Sequence, residues 1–388
     1  MNFICILVSC VLLASAENEN RAESFARETQ KFAANLYTEI AKGQTGSFIV
    51  SPLSVQLALA LAAVGASGET AEELASTLRI PRDNGELKKT FDEVTAHLNK
   101  NGSYTLASAN KVYTGFKLDD LYETSLAKFF RSAAERVNFR DAQTVDKINS
   151  WVSKETFEKI KNLVKPNSFK NHTRMVLINT MYFKGFWEKA FVADDTQTRS
   201  FFLSETEEKK VEMMETTSKF KYAYNDKLNA QVLEMFYKDS DISMTIILPS
   251  EVNGLQLVEE GLEEVFREQS YYNAKVHVQM PKFVTKSDIK LTDVLKNMGI
   301  KTAFGNSAEF TGIAEDKGEK IKIDEVLQKA VIEVDEEGTT AVAATGGFMV
   351  MVPSVAEVLI DFIANRPFIY FLKSKSIGVL FIGRYFGP

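Results

Sequence analysis

The sequence predicts a single large domain of the α+β class, built mainly from antiparallel sheets. Helical spacing of apolar residues dominates the first half of the 388-residue chain, whereas short apolar strands dominate the second half. The composition, with 45% hydrophobic and 25% charged residues, is that of a globular protein. No Pro/Gly/Ser-rich tract, internal repeat or block of charge divides the chain. We therefore expect one domain rather than several.

Helices dominate the predicted elements of the first half. The first helical pattern ends just before Gly43, which is a typical stop signal. Ser51 and Pro52 then form a typical start signal, because serine caps the first free N–H groups and proline fits the first helical position. The set predicted for this half comprises helices over 25–40, 70–78 and 148–163 and a strand over 47–50.

Strands dominate the second half. Uninterrupted apolar runs predict buried strands, and alternation of apolar with polar residues predicts a strand with one buried face. One helix interrupts them and ends at Gly299, a typical C-terminal stop. The set comprises strands over 175–183, 244–248, 276–283 and 379–382 and a helix over 291–298.

The N-terminus predicts a secreted protein. Residues 1–16 are apolar and end in an A-x-A pattern, which is typical of a cleaved signal peptide. Both cysteines, Cys5 and Cys10, lie within it, so the mature domain over 17–388 is expected to lack disulfides and cysteine-ligated metal. In a secreted chain the sequons at Asn101 and Asn171 are candidate glycosylation sites.

Several classes of function are disfavoured. No nucleophile, zinc, phosphate-binding or dinucleotide-binding motif occurs, and His97, His172 and His277 are the only histidines. We therefore expect neither an enzyme nor a cofactor or metal site.

Acidic and basic residues are interleaved around a net charge of -6, so we expect no nucleic-acid partner. Residues 88–100 carry charges of both signs, so we also expect that the activity of the protein does not depend on a heparin-like polyanion. No stretch after the signal reaches the roughly 20 apolar residues of a membrane span, so we expect no membrane association.

One segment has a composition suited to moving into a sheet. Glu337 and Gly338 lead into a run of small residues, and no Lys or Arg follows until Arg366. Small side chains at alternate positions can enter a crowded sheet without steric cost, because alternate residues face opposite sides. The run consists of Thr339, Thr340, Ala341, Val342, Ala343, Ala344 and Thr345.

This segment resembles the hinge of the reactive-centre loop of serpins, in particular secreted inhibitory serpins of arthropods. Further motifs in the same order along the chain resemble that family, so that the resemblance runs from about residue 23 to the C-terminus. They lie at 48–54, 177–187, 278–283, 298–304, 309–313 and 365–368.

The resemblance implies a fold and a mechanism. The fold would contain three β-sheets, eight or nine helices and one exposed reactive-centre loop, here about 338–362. A target protease would cleave this loop and form a covalent complex, while the hinge inserts into the central sheet. The protein would act as a monomer, and its partner would be the protease. The alternative is a non-inhibitory serpin that acts as a binding or carrier protein.

The resemblance also implies roles for buried residues. Ser51, Ser54 and Asn179 match the family's shutter, a polar cluster beneath the middle of the central sheet. Trp187 matches the tryptophan of the breach, where that sheet opens first. At Gln328 the family commonly has a histidine; glutamine also donates and accepts hydrogen bonds, so a network is still expected.

The reactive bond is predicted by its distance from the hinge. The usual spacing from Gly338 would place it between Val352 and Pro353, but bonds before proline are poor protease substrates. Met351–Val352 is therefore preferred, with Val350–Met351 and Pro353–Ser354 as alternatives. No Lys or Arg lies nearby, so we expect a target other than a trypsin-like enzyme. An elastase- or chymotrypsin-like serine protease and a papain-like cysteine protease both fit.

Overall fold

The chain folds into helices packed against two hydrogen-bonded sheets. The computed structural model describes residues 21–100, 102–170, 172–267, 269–316, 318, 320–337 and 358–388. These residues contain nine α-helices, in agreement with the eight or nine predicted from the resemblance. They are α1 Arg21–Ala41, α2 Pro52–Ala63, α3 Gly68–Leu78, α4 Asn84–Leu98, α5 Asp120–Phe130, α6 Gln143–Glu155, α7 Leu255–Glu260, α8 Leu262–Val265 and α9 Thr292–Met298.

Fourteen strands are found in the same described part of the chain. Most follow the apolar runs and alternating patterns of the sequence. They are β1 Phe48–Val50, β2 Tyr104–Thr114, β3 Ala133–Arg136, β4 Met175–Gly185, β5 Gln197–Phe202, β6 Glu208–Asn225, β7 Ala230–Phe236, β8 Ile242–Pro249, β9 Tyr272–Pro281, β10 Phe283–Lys290, β11 Glu325–Val334, β12 Leu359–Ile363, β13 Phe368–Ser374 and β14 Gly378–Tyr385.

Five strands form the sheet that carries the candidate site. Their order is β10-β11-β4-β2-β3. The β10–β11 and β4–β2 pairs are antiparallel, whereas β11–β4 and β2–β3 are parallel. The expectation of antiparallel sheets is therefore correct for most pairs but wrong for these two and for the parallel pair β12–β9.

The other nine strands form a second sheet, in which the long strand β6 connects two parts. Their order is β1-β14-β13-β8-β7-β6-β9-β12, with β5 paired to β6. The 18-residue β6 pairs with β5 at its start, with β9 in its middle and with β7 at its end. It therefore belongs to two parts, one containing β12, β9 and β5 and the other containing β7, β8, β13, β14 and β1. These two parts and the five-stranded sheet correspond to the three predicted sheets.

The core lies between the sheets and around α2, whose residues are all buried. Ser51 caps α2 as predicted, because its side chain accepts a hydrogen bond from the N–H of Ser54 at 3.3 Å. A second apolar cluster lies on the opposite face of the five-stranded sheet, beneath α6. No helix in the described ranges is long and apolar enough to cross a membrane.

The predicted helix over 148–163 is too long. α6 ends at Glu155, and Phe157 and Glu158 have positive φ values of 51° and 61°, which end the helical conformation. Ile160 beyond the break is nevertheless fully buried. The apolar spacing therefore indicated the buried face correctly, but it did not indicate the change of backbone conformation.

Candidate functional site

The candidate site is centred on the boundary between β4 and β11, which we call the seam. These strands pair in parallel from Glu325 opposite Val176 to Glu333 opposite Lys184. β4 is buried along its length apart from Lys184, and β11 leads directly into Glu337, the last residue described before the predicted hinge. Any loop leaving β11 therefore starts at the end of the seam.

Trp187 closes this end, which we call the breach and define as Lys184, Trp187, Asp335, Glu336 and Glu337. The indole Nε1 of Trp187 donates to the carbonyl of Asp335 at 2.9 Å, and its backbone N–H donates to the carbonyl of Glu337 at 3.2 Å. Two hydrogen bonds therefore attach the segment before the hinge to the residue just beyond β4.

Aromatic packing positions Trp187. Its ring stacks on Tyr237 with centroids 4.3 Å apart, and it is buried. β4 ends at Gly185, where an added Cβ would lie 2.5 Å from a ring carbon of Tyr237. The glycine therefore allows the tyrosine to approach, and the tyrosine supports the indole.

Charged pairs add to the breach. The Lys184 ammonium lies 2.9 Å from a carboxylate oxygen of Asp335 and 2.6 Å from one of Glu337. Partial burial alone would lower the pKa of Lys184, but the hydrogen bonds to these two carboxylates outweigh it and raise the pKa. Lys184 therefore stays charged at any physiological pH.

Glu336 contacts residues outside the seam, namely Lys282 between β9 and β10 and Thr196 just before β5. Its carboxylate lies 2.9 Å from the ammonium of Lys282 and accepts a hydrogen bond from the hydroxyl of Thr196 at 2.8 Å. Burial would raise the pKa of Glu336, but the hydrogen bond from Lys282 outweighs it and lowers the pKa. The three acidic residues before the hinge are thus held by cations from two sides.

A polar cluster lies beneath the middle of the seam, and it matches the predicted shutter. Gln328 and Asn179 are directly opposite each other on β11 and β4, and both are buried. The Gln328 amide N–H donates to the Oδ1 of Asn179, and the Asn179 amide N–H donates to the carbonyl of Ser54 at 2.7 Å and to the Oδ1 of Asn110.

Gln328 also bonds the start of α2. Its Oε1 accepts from the backbone N–H of Ser51 at 3.0 Å, and its Nε2 donates to the carbonyl of Ser51 at 3.0 Å. The amide therefore satisfies both main-chain groups of Ser51 and links β11, β4 and α2. The network expected despite the missing histidine is present in the structure.

The outer face of the seam is covered by α6 and the segment after it. Side chains from both pack on β4 and β11, and Lys159 bridges to β11 because its ammonium lies 3.1 Å from a carboxylate oxygen of Glu333. A new strand between β4 and β11 would therefore have to displace this cover. The packing residues are Ile148, Val152, Ile160, Val164, Val176, Ile178, Leu327 and Val331.

The structure brings together only some of the predicted site residues. Ser51, Ser54, Asn179 and Gln328 form the shutter, and Trp187 and Glu337 meet at the breach. The predicted hinge residues 338–345, the reactive-bond candidates 350–353 and both sequon asparagines, Asn101 and Asn171, lie outside the described residues. Within the described part, no group of three potential metal ligands is found.

Sequence reasoning missed several residues of the site. Asn110 completes the shutter because β2 places it opposite Asn179, and Lys184 and Lys282 hold the breach. Lys184 and Lys282 lie within the motifs at 177–187 and 278–283 and Asn110 lies outside them, but no motif indicated a role for any of the three. Their roles depend on strand pairing between distant segments, which the sequence pattern did not reveal. The three consecutive acidic residues 335–337 were the available signal for basic partners at the breach.

Comparison with known proteins gives a consistent result. The sequence matches the family model described as serpin (serine protease inhibitor) over residues 27–388. Antichymotrypsin-2 of Bombyx mori is 35% identical over 354 residues, covering 89% of this chain and 94% of that protein. Antitrypsin of Bombyx mori is 33% identical over 392 residues, covering 99% of each. The crystal structure of Serpin48 from Tenebrio molitor has 33% identity and a TM-score of 0.85, covering 94% of this chain and 98% of that chain.

Proposed function

This chain belongs to the serpin family, and we propose that it is a suicide-substrate inhibitor of a protease. The observation that carries the proposal is the parallel seam, whose β11 leads straight into the small-residue hinge. Relatives with names such as antichymotrypsin and antitrypsin support protease inhibition as the general role.

The proposed reaction begins as ordinary proteolysis. The nucleophile of the protease attacks the carbonyl carbon of the reactive bond, and an ester or thioester to the loop forms. The C–N bond breaks, and the nitrogen of the next residue leaves as an amine with the proton that the catalytic base delivers. Insertion of the freed arm then distorts the protease before water can release it.

The direction of β4 and β11 favours this insertion. The loop leaves the end of β11, so a loop that folds back runs antiparallel to β11. Because β4 is parallel to β11, the same strand is antiparallel to β4 as well. One parallel contact would be replaced by two antiparallel ones, which pair slightly more strongly per residue.

The energy available from insertion is large. Roughly a dozen residues would join the sheet. At about 0.5–1.5 kcal/mol net per hydrogen bond, their pairing contributes on the order of 10 kcal/mol before packing. The uncleaved protein would therefore be held in its state by a kinetic barrier, and the breach, the shutter and α6 are the described parts of that barrier.

The target class follows from the loop composition. Met351–Val352 is the preferred reactive bond, with Val350–Met351 and Pro353–Ser354 as alternatives, and no Lys or Arg lies near it. An elastase- or chymotrypsin-like serine protease fits this bond. A papain-like cysteine protease fits as well, because such enzymes favour an apolar residue such as Val350 one position earlier.

The setting of the proposed reaction is extracellular. Residues 1–16 would be removed as a signal peptide, and Asn101 and Asn171 would carry glycans. The inhibitor would act as a monomer and would require no cofactor.

The experiment is incubation of the mature protein with elastase, chymotrypsin, trypsin and a cathepsin L-type protease. A denaturant-stable complex with elastase or chymotrypsin is expected on a gel, and the mass of the released C-terminal peptide should place the cut at Met351–Val352. Inhibition of the cathepsin through a weaker thioester complex would instead identify a cysteine-protease target.

A matched pair of hinge variants separates insertion from cleavage. Thr345 lies on the same alternate set as Thr339 and Ala341, which would enter the sheet on its crowded face, whereas Ala344 would face outward. Thr345→Arg should be cleaved without inhibiting, and Ala344→Arg should inhibit almost normally. Cleavage of the wild type with no inhibition of any of the four proteases would contradict the proposal and would favour a binding or carrier role.

A further inference from the structure

A cavity between α4 and the nine-stranded sheet lies apart from the site described above. It is bounded by the end of α4, the start of β2, the turn from β7 to β8 and the turn from β13 to β14, and its volume is about 450 Å³. Small-molecule sites in proteins range from about 300 to 1,000 Å³. The described residues that line this cavity include none of the shutter or the breach.

The inner part of the cavity is apolar. Ile242, Ile377 and Leu380 are 2%, 3% and 0% exposed. Leu98 of α4 and Leu106 of β2 complete this part and pack against the same core. The apolar body of a ligand would leave water when it entered here, and this transfer favours binding.

The outer part of the cavity carries more negative than positive charge. The side chains of Asp239 and Lys100 are exposed there, and Asp241 is half-buried. Of the described lining residues, Lys100 alone is a lysine or arginine, so that two carboxylates outnumber one ammonium. A positive charge on the ligand is therefore the one that this part of the cavity favours.

Both carboxylates are held in place and can accept further hydrogen bonds. The hydroxyl of Ser103 donates to Asp239 at 3.0 Å, while the hydroxyl of Ser374 and the N–H of Ser376 donate to Asp241 at 2.6 and 3.1 Å. Burial alone would raise the pKa of Asp241, but these hydrogen bonds outweigh it and lower the pKa, so the carboxylate is ionised at neutral pH. A carboxylate offers about four lone-pair sites. Neither aspartate pairs with a lysine or arginine within the described ranges, so each has acceptor sites left for an ammonium.

Tyr104 places an aromatic ring beside this charge. Burial and the nearby charge of Asp241 raise the pKa of Tyr104, which shows that the two side chains are close. The ring is fixed, because it stacks on Phe183 with centroids 6.0 Å apart and its hydroxyl donates to the carbonyl of Lys100 at 3.2 Å. An aromatic ring attracts a cation through its electron-rich face. Ring and carboxylate together are therefore suited to an ammonium.

His97 contributes a hydrogen-bond acceptor. Its Nδ1 lies 2.9 Å from the carbonyl of Glu93, and a carbonyl can only accept, so Nδ1 carries a proton. In the neutral imidazole the other nitrogen, Nε2, is then an acceptor. It matches an N–H donor on a ligand rather than a further carboxylate.

We propose that this cavity binds a small organic amine, whose apolar body fills the inner part and whose ammonium lies against Asp241 and the ring of Tyr104. The carboxylates would supply charge-assisted hydrogen bonds, and the ring would add a cation–π contact. An anionic ligand would instead meet two carboxylates. The site does not rest on the inhibitory role, so its test is independent of protease inhibition.

The test compares three ligands of similar shape by calorimetry and thermal unfolding, using the full uncleaved mature chain at neutral pH and constant ionic strength. Phenylbutylamine is the cationic probe, and phenylbutanol and phenylvalerate are its neutral and anionic counterparts. We expect saturable binding of the amine with a rise in the unfolding midpoint. The alcohol should bind about tenfold more weakly because it lacks the charge, and the carboxylate should show no measurable binding. Equal affinity for amine and alcohol, or no saturable binding of the amine, would overturn the proposal.

Charge variants locate the binding. Asp241→Asn keeps the size of the side chain and one oxygen acceptor; it should weaken amine binding about tenfold and leave alcohol binding unchanged, which also shows that the cavity is intact. Lys100→Gln removes the positive charge and should tighten amine binding about twofold, since an exposed charge is largely screened.

Asp293→Asn is the matched control. It removes the same charge from a side chain on α9 that is 91% exposed and does not line the cavity, so the affinity for the amine should not change. A loss of affinity equal to that of Asp241→Asn would show only a general attraction to an acidic protein and would overturn the proposal. Wild-type affinity in Asp241→Asn would overturn it as well.

Discussion

At the residue scale, the shutter is a set of hydrogen bonds between buried side chains and main-chain groups. Gln328 and Asn179 are 1% and 0% exposed, and their amides face each other across the seam. A buried amide is stable only when its donors and acceptors are satisfied. Here the partners come from β2, β4 and α2, so that opening the seam must separate these bonds before new ones form.

Replacement of Gln328 by alanine should therefore be costly. It would leave the N–H of Ser51 and the Oδ1 of Asn179 without their partner, would remove one of the two hydrogen bonds to the Ser51 carbonyl, and would create a cavity. We expect the free energy of unfolding to fall by about 3 kcal/mol. Chemical denaturation monitored by tryptophan fluorescence measures this change.

Gln328→His is the matched variant, because histidine also donates and accepts. It should lose less stability than Gln328→Ala. Equal losses in the two variants would show that the hydrogen bonds of Gln328 contribute little and that its side-chain volume matters more.

The breach predicts a particular pH dependence. The lowered pKa of Glu336 means that its pair with Lys282 stabilises the fold fully above pH 4.5, the ordinary glutamate value, and loses this effect as pH falls through the lower folded-state pKa. The raised pKa of Lys184 means that its contribution is complete below pH 10.5 and is lost only at still higher pH. Between these limits the charges of Glu336 and Lys184 should be constant.

The variant Glu336→Gln tests the loss of the Glu336 contribution to stability at low pH. The difference in unfolding free energy between the wild type and this variant should be constant from about pH 5.5 to 9.5 and should shrink below pH 4.5. Urea denaturation at a series of pH values measures it. A difference that grows as the pH falls would show that the ionised carboxylate of Glu336 does not stabilise the fold.

At the element scale, α6 and its following segment act as a cover over the seam. The helix supplies apolar packing, and Lys159 joins the segment after it to β11 through Glu333. Since both side chains are partly exposed, this ion pair is worth only a fraction of a typical core contact. It nevertheless lies across the path that the strand would take in the proposed insertion.

Lys159→Gln should therefore speed insertion with little effect on stability. A synthetic peptide with the sequence of the hinge should enter the sheet about two- to fourfold faster than in the wild type. Native gel electrophoresis during incubation with the peptide gives the rate. Lys161→Gln is the control, because the Lys161 ammonium pairs with Glu158 and not with β11; an equal acceleration there would argue against a specific role for Lys159.

Elements also show what the sequence could and could not predict. The cap at Ser51 and the end of α9 at Gly299 follow from local signals, and Gly299 has a φ of 121° that glycine readily adopts. The parallel pairing of β4 with β11 does not follow from local signals, because it joins segments about 150 residues apart. The apolar runs of these segments do not indicate in which direction the strands pair. The shutter residues came from the family resemblance, whereas the basic partners of the breach required the pairing itself.

At the scale of the whole molecule, the proposed cleavage should produce a more stable protein. The proposed insertion would contribute on the order of 10 kcal/mol. For a large domain about 1 kcal/mol corresponds to some 2–4 °C, so the unfolding midpoint should rise by about 20 °C or more after a single cut in the loop. Differential scanning calorimetry before and after limited proteolysis measures the shift. An unchanged midpoint, with the cut confirmed by mass spectrometry, would indicate that the loop does not insert.

The two arms of the loop are attached to different sheets. The arm that begins after Glu337 leaves from the five-stranded sheet, whereas the arm that ends at Leu359 continues into β12, which pairs with β9 in the other sheet. An acyl-enzyme can be reversed when the amine that has just left attacks it again, and this reversal is fast only while the amine stays at a high effective concentration. If one arm moves into the seam while β12 stays in place, the amine is carried away from the acyl group. Peptide-bond resynthesis is then suppressed by the geometry of the attachments alone, and the first cut becomes the irreversible step.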